Sequence, residues 1–380
     1  MTQEEIRICT QCVMDTTDPL ITFDENGVCN HCREFQTKIS RIPDNPKQRR
    51  EIVQDLINRI KNEGKDKEYD CIIGVSGGVD STYVAYYVKG MGLRPLAIHV
   101  DNGWNSEFAV NNIKKCLKKL DIDLFTEVLN WNEFKGLQKA FLRASVPDGE
   151  IPTDHAIMAT LYKQADLRNI SYIITGGNIV TEAILPTSWS SGHRDWRYIN
   201  GINKSFGDHH LTSFPHYSFF ELFKYLFIKR LKVVNILDFI DFNKAEIMKI
   251  LKKELDWTPY PAKHYESIYT RFFQGYVLPT KFGYDKRKAH LSTLINSGQI
   301  TRIEALRVLS DPPLTGQMLE EDMDFVLKKF DFTQEEFEAI MALPKKSIND
   351  FPNNYSIFNF LLSIKAPVLL RKIGLIPKDR

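Results

Sequence analysis

The sequence predicts an α/β protein: a doubly wound parallel sheet, preceded by a small cysteine ribbon and followed by a mostly helical region. Three observations carry this expectation. From Tyr69 to residue 178, short apolar runs alternate with helical patterns, the signature of β-α units. One run ends in Ser76-Gly77-Gly78-Val79-Asp80-Ser81, a glycine turn that leads straight into a helix. Four of the six cysteines stand in the first 32 residues, as two Cys-x-x-Cys pairs.

The pairs are Cys9 with Cys12 and Cys29 with Cys32. Each offers two corners of a tetrahedron, and the loop between them has zinc-ribbon length. A redox-active pair is the alternative. Two pairs this close favour metal, and in a reducing compartment zinc thiolates are expected over disulfides. Four thiolates leave no vacancy for chemistry, so the expected role of Zn²⁺ is to fold residues 1–40. His31 lies inside the second pair, where it could replace a thiolate but is expected to be a bystander. Cys71 falls in a strand and Cys116 on an amphipathic helix, both expected in the core.

Residues 41–68 read as a helical connector, with apolar positions 52, 53, 56, 57 and 60 on one face. The sheet domain is expected over 69–213. Its strands are Asp70–Val75, Arg94–Val100, Asp123–Val128 and Tyr172–Thr175, and its helices cover 81–89, 106–120 and 153–169. Segments 76–81, 100–104 and 175–182 all fall at carboxyl ends of strands, where such sheets bind ligands.

In the first of these segments, freed N–H groups and the helix N-terminus make an anion cradle. Two serine hydroxyls add donors, and Asp80 can hold Mg²⁺ against phosphate oxygens. An ordinary strand-to-helix turn is the bland alternative, and no Walker Gly-Lys-Ser/Thr is present. Ser-Gly-Gly-Val-Asp-Ser resembles the PP-loop of ATP pyrophosphatases, of adenine nucleotide alpha-hydrolase-like fold. These enzymes split ATP between the α- and β-phosphates and transfer AMP to an oxygen. The resemblance implies ATP and Mg²⁺, a nucleotide cradle of Ser76, Gly77, Gly78, Val79, Asp80 and Ser81, and adenosine beside Val100 and Asp101. It further implies that Gly176, Gly177 and Asn178, with Thr181 and Glu182, form the loop that closes over nucleotide and substrate. Asp154, at a helix start, is either a cap or faces the site.

Three later stretches, 181–189, 257–267 and 270–288, are similar to N-acetyl sugar amidotransferases of bacterial surface-polysaccharide and nonulosonic-acid pathways, which serve lipopolysaccharide O-antigen, capsule or flagellin glycans. That resemblance implies that an acetamido group of a sugar becomes an acetamidino group, with ammonia from a separate glutaminase and synthase pair resembling the imidazole-glycerol-phosphate synthase subunits. On it, Asp80, Ser81, Lys263, His264, Glu266 and Arg271 are expected to be catalytic. Asp154, Thr181, Glu182, Trp189, Lys281, Arg287 and Lys288 are expected to bind substrate. A solvated basic face is the alternative for the cations, and interface hydrogen bonding for His264 and Glu266.

Residues 214–380 form the mostly helical substrate or partner region. Phe214, Phe219, Phe220, Phe223 and Phe227 make an aromatic stripe, expected in the core, with a partner surface next. Val233–Phe239 is strand-like, and Asn243 is expected to cap a Lys-rich helix.

Composition bounds the function. A net charge of +2 disfavours a dedicated nucleic-acid binder. The start lacks an apolar signal segment, and 218–228 is broken by Glu221 and Lys224, so no membrane span and a cytoplasmic location are expected. An oligomer is compatible with the sequence. The leading competitor is a PP-loop tRNA-thiolating enzyme, which would need reactive cysteines. A zinc-ribbon nucleotide sensor without turnover is the other. The chain has no evident glutaminase nucleophile: residues 1 and 2 are Met and Thr, and the cysteines are assigned to metal or core.

Overall fold

The computed structural model describes residues 6–260, 266–357 and 360. Lys263 and His264 lie outside the described residues. Five strands, β1 Cys71–Gly74, β2 Pro95–Asp101, β3 Leu124–Val128, β4 Tyr172–Thr175 and β5 Lys232–Asn235, form one sheet in the order β3-β2-β1-β4-β5. Every neighbouring pair is parallel. The central strands β1, β2 and β4 are short apolar runs because both faces are covered, whereas the edge strand β3 is largely exposed. In β1, Cys71 and Ile73 face one core and Ile72 faces the other. The strand order reverses between β1 and β4, which opens a crevice at their carboxyl ends.

Helices α1 (Asn30–Ile39), α2 (Pro46–Gly64), α3 (Val79–Gly90), α4 (Glu107–Leu120), α5 (Trp131–Ala144), α6 (Ile151–Leu167), α7 (Ile179–Glu182) and α8 (Trp196–Phe206) follow the chain through the sheet region. After it come α9 (Phe219–Phe223), α10 (Lys244–Leu255), α11 (Ile268–Phe272), α12 (Arg287–Asn296), α13 (Arg302–Ser310), α14 (Gly316–Phe330) and α15 (Gln334–Ala342). Helices α2, α3, α4 and α10 cover one sheet face, and α6 with residues 217–231 covers the other. A second core gathers α5, α8, α11, α14 and α15 with the four ribbon cysteines and Phe35. None of the described helices is long and apolar enough to cross a membrane.

The expected strands and sheet helices agree with the structure to within one to three residues, whereas α5 and α8 were not anticipated. The expected boundary at 213/214 coincides with no break in packing. β5 completes the sheet from beyond it, and α5 and α8 share a core with the helices after residue 266. The aromatic stripe divides: Phe214 is buried, whereas Phe220 is 80% exposed. Cys71 and Cys116 are buried as expected.

Candidate active site

The glycine-serine loop 76–81, the expected phosphate cradle, begins where β1 ends. Gly77 has φ +81°, and a Cβ there would stand 2.7 Å from the carbonyl of Ala109, so only glycine fits. The indole N–H of Trp257 and the hydroxyl of Tyr260 both donate to the Gly77 carbonyl, at 2.9 and 2.8 Å. Gly78 is N-cap of α3, and the first helical turn carries Asp80. The Ser76 N–H donates to Ser81 Oγ at 3.2 Å, and the two hydroxyls lie 3.2 Å apart. A Cβ on Gly78 would stand 2.8 Å from Glu266 Oε1, and one on Gly176 would stand 3.0 Å from the Ser81 nitrogen. Three chain segments remote in sequence therefore close on one loop.

Between them lies a cleft of about 680 Å³. Its floor is the loop with Val75, Ile98, His99 and Val100. One wall is a single face of α6, where Thr153, Asp154, Ile157, Met158 and Leu161 continue from Glu150 at helical spacing. Another wall is Glu266 and Ser267, just before α11, with Thr270 on α11 and Gln274 on the π-helical turns that follow it. This wall is tied to the end of β2, because Ser106 N–H donates to the Glu266 carbonyl and Ile268 N–H to that of Trp104. Thr181, Glu182, Lys286, Ala289 and His290 line the far end.

That end is rich in carboxylates. Glu150 accepts from the Thr270 hydroxyl at 2.5 Å and from the Gln274 amide at 2.9 Å. Burial pushes its carboxyl up to about 7, against the pull of Lys286. Burial also raises Asp154. Asp148, bonded to the Ser190 hydroxyl and near His193, is held well below the usual range, burial being outweighed by Lys286 and His193. Lys286 is raised: Asp148, Glu150, Asp154 and Glu182 surround its ammonium and outweigh burial.

The structure brings together Ser76, Gly78, Val79, Asp80, Ser81, Val100, Asp154, Gly176, Thr181, Glu182 and Glu266 along this cleft. Gly77 shapes the loop from behind. Gly177 and Asn178 do not line the cleft. Gly177 is pressed against Asn235, and Asn178 caps α7 through its side-chain oxygen. Asp101 turns away, its carboxylate accepting from Gly103 N–H and the Asn105 amide.

Several expected substrate contacts lie elsewhere. Trp189 is 2% exposed and stacked on Tyr284, 4.3 Å between ring centroids. Arg271 makes a two-pronged ion pair with Asp322, at 2.7 and 2.6 Å. Lys281 is buried and donates to the carbonyls of Ile340, Met341 and Leu343 at the end of α15. Arg287 is spent on Asp285 and the carbonyls of Val308 and Asp311. Lys288 pairs with Asp15 of the ribbon. A charged side chain in a packed region must be paired, and these cations found carboxylates and helix-end carbonyls inside the protein.

Sequence reasoning overlooked Glu150, Thr270, Gln274, His99 and Lys286. Lys286, Arg287 and Lys288 are consecutive, and nothing in their spacing says which one faces the cleft. Thr270 and Gln274, four apart, offered a readable pair on one helical face, whereas Glu266 lies before the helix begins.

In the ribbon, Cys9, Cys12, Cys29 and Cys32 are buried, with all four sulfurs within 4.8 Å of one another. Neighbouring sulfurs are 3.7 to 3.9 Å apart. A tetrahedron of Zn–S bonds of about 2.3 Å has edges of about 3.8 Å, so the donors fit zinc. Backbone N–H groups of Cys12, Met14 and Cys29 and the Asn296 amide point at sulfurs, as expected where thiolate charge must be offset. His31 is a bystander: its Nε2 lies 2.7 Å from Asp18. For Mg²⁺, the cleft offers oxygen donors at the loop itself, the Asp80 and Glu266 carboxylates and the Ser81 hydroxyl, a hard donor set that fits the ion.

A parallel sheet with a glycine-serine phosphate loop at its switch point defines the PP-loop class of α/β proteins. Residues 266–365, which supply another wall, match the family model described as "LPS biosynthesis protein WbpG-like, C-terminal domain". A GMP synthase [glutamine-hydrolyzing] from Pyrobaculum aerophilum is 37% identical over 94 residues, covering 24% of this chain but only 17% of that protein. Among solved structures, NMN synthetase from Francisella tularensis is similar, with a TM-score of 0.33 and 16% identity over 80% of this chain and 99% of that one. So is the NH3-dependent NAD synthetase from Campylobacter jejuni, with a TM-score of 0.29 and 16% identity over 56% of this chain and 98% of that one.

Proposed function

We propose that the chain is an ATP-dependent amidotransferase. It adenylates the acetamido oxygen of an N-acetyl sugar and replaces it with ammonia, giving an acetamidino sugar, AMP and pyrophosphate for a lipopolysaccharide-related glycan. One observation carries the reading: the glycine-serine loop and the first residues of the segment matching the WbpG-like model line one cleft, with Glu266 Oε1 where a side chain on Gly78 would meet it.

An amide oxygen leaves poorly, so its exchange for nitrogen needs activation, and transfer of AMP to it provides a good leaving group. The chain's part is positioning and charge placement. Ser76, Gly78 and Ser81 present donors to the phosphates, while Trp257 and Tyr260 fix the Gly77 carbonyl and with it the loop's shape. Magnesium held by Asp80, with Glu266 beside it, would neutralise phosphate charge. Glu182, Thr181 and Asp154 stand where the sugar's hydroxyls would enter. Zinc in the ribbon is structural in this reading.

Ammonia would come from a partner glutaminase and synthase pair. No thiol in the chain suits the task of splitting glutamine, since Cys116 is pushed up to about 11 and Cys71 higher still, both by burial. The same two buried thiols disfavour tRNA thiolation.

The test is mass spectrometry of acetamido sugars incubated with ATP, Mg²⁺ and ammonium. Exchange of oxygen for NH lowers the sugar's mass by about one unit, and glutamine in place of ammonium should give nearly no product. Hydrolysis of ATP to ADP, or a thiolated product, would overturn the reading.

A further inference from the structure

The attacking nitrogen keeps two protons in the amidine product, so ammonia must lose one proton and ammonium two. We infer that Glu150, at the end of the cleft away from the phosphate loop, is the base that takes them, with Lys286 as its counter-charge. This inference rests on the amidotransferase reading.

The geometry singles out Glu150 among the acids. Thr270 and Gln274 each donate to one of its oxygens, which fixes the plane of the carboxyl and leaves a second lone pair on each oxygen. Glu150 lines the same cleft as Glu266 and the 76–81 loop, and its two donors, Thr270 and Gln274, lie on the segment that runs on from Glu266. Asp148 is occupied by Ser190 and His193 and lies behind the cleft wall. His99 spends both ring nitrogens, Nδ1 on the Val75 carbonyl and Nε2 on Asn105. His290 has Nδ1 on the Thr181 carbonyl. Thr181, 1% exposed, lines the same cleft, and its hydroxyl has no hydrogen-bond partner among the described residues. It is a polar group left for the sugar.

The step balances without another reactant. Ammonium gives one proton to Glu150, which passes it to water. The lone pair so freed forms the N–C bond to the imidate carbon as the C=N π pair moves onto the imidate nitrogen, and the adduct nitrogen gives its second proton to the same carboxylate. The pair on nitrogen then re-forms a C=N bond as the C–O bond breaks, the C–O electron pair leaving on the oxygen of AMP. A base suited to this work titrates near working pH. The groups facing Glu150 are Lys286, Asp154, Asp148 and the Tyr269 hydroxyl, and burial among them leaves its carboxyl at about 7.

The test compares the native chain with Glu150→Gln, which keeps the shape and the Gln274 and Thr270 contacts, in three measurements. Sugar-dependent exchange of pyrophosphate into ATP, run without ammonium, should be within about two-fold of native, while amidine formation should fall ~100-fold or more. The native amidine rate should rise with pH through about 7, and that ionisation should vanish in the variant. Infrared difference titration should show a carboxyl titrating near 7 in the native chain and missing from the variant. Amidine formation at the native rate by Glu150→Gln, or equal loss of exchange and amidine formation, overturns the assignment. So does an infrared signal for Glu150 in the ordinary carboxylate range, whatever the sugar. Failure of the amidotransferase reading shows separately, as absence of sugar-dependent exchange in the native chain.

Discussion

Trp257 donates its indole N–H to the carbonyl oxygen of Gly77 across 2.9 Å, joining residues 180 positions apart in the chain. The Gly77 carbonyl also accepts from the Tyr260 hydroxyl, so one backbone group in the phosphate loop is held by two donors from the segment after α10. Removing one leaves the other. Trp257→Phe should weaken ATP binding by about 1 kcal/mol, or ~5-fold in KM, with kcat little changed. Trp257→Phe combined with Tyr260→Phe should cost more than the sum of the single changes, since the carbonyl is then unsatisfied. A strictly additive double mutant, read from ATP titrations, would contradict this account.

Asp80 is the acid of the loop helix, in the first turn of α3. Asp80→Asn should leave the melting temperature close to native and lower pyrophosphate release ~100-fold or more, because the metal loses a carboxylate. Coupled pyrophosphate assay beside a thermal melt checks both halves. Near-native turnover would remove Asp80 from the metal site.

Arg271 and Asp322 are predicted to matter for stability and not for substrate. Asp322 is 5% exposed at its side chain, and breaking a buried pair from one side leaves an unpaired charge. Arg271→Ala should therefore destabilise the fold by about 3 kcal/mol, readable in a urea midpoint. The folded fraction should keep its KM for sugar. Full stability with lost turnover would restore the catalytic role expected from sequence.

Zinc should be found at about one per chain. Cys9→Ser should lose the metal and lower the melting point, because the ribbon shares a core with α5 and the C-terminal helices. Intrinsic AMP transfer by the folded fraction should survive. Iron–sulfur absorbance in protein purified without air would overturn the zinc assignment.

His155 makes stability depend on acid. Its Nδ1 donates to the His193 carbonyl at 2.7 Å and its Nε2 accepts from Tyr217 N–H at 3.3 Å, an arrangement that only the neutral ring can make. Burial lowers its pKa to about 3, against 6.5 for a solvent-exposed imidazole. Between those values the unfolded chain binds a proton that the folded chain refuses, so stability falls as pH falls through that window. The slope from this group is at most about 1.4 kcal/mol per pH unit. Urea midpoints from pH 7 to pH 5 should show it, and His155→Phe should flatten the dependence. An unchanged slope in that variant would refute it.

Much of the fold was legible in the sequence. Sheet strands buried on both faces are continuous apolar runs, and the phosphate loop needs glycines and hydroxyls at adjacent positions, so both leave local signatures. The cysteine pairs do the same for the ribbon. These features are set by neighbours in the chain, and composition and spacing determined them.

The far end of the cleft was decided by tertiary structure. Lys281, Arg287 and Lys288 look like anion binders in sequence, yet folding occupies each: Lys281 with carbonyls at the end of α15, Arg287 with the carbonyls of Val308 and Asp311 at the end of α13 besides its neighbour Asp285, and Lys288 with Asp15 of the ribbon. Lys286, their neighbour, is the one turned into the cleft. Likewise Glu150 acquires its character from Thr270, Gln274 and Lys286, each over a hundred residues away. A charged group's partners, burial and pKa depend on what folding brings beside it, and a linear pattern of charges does not contain that information.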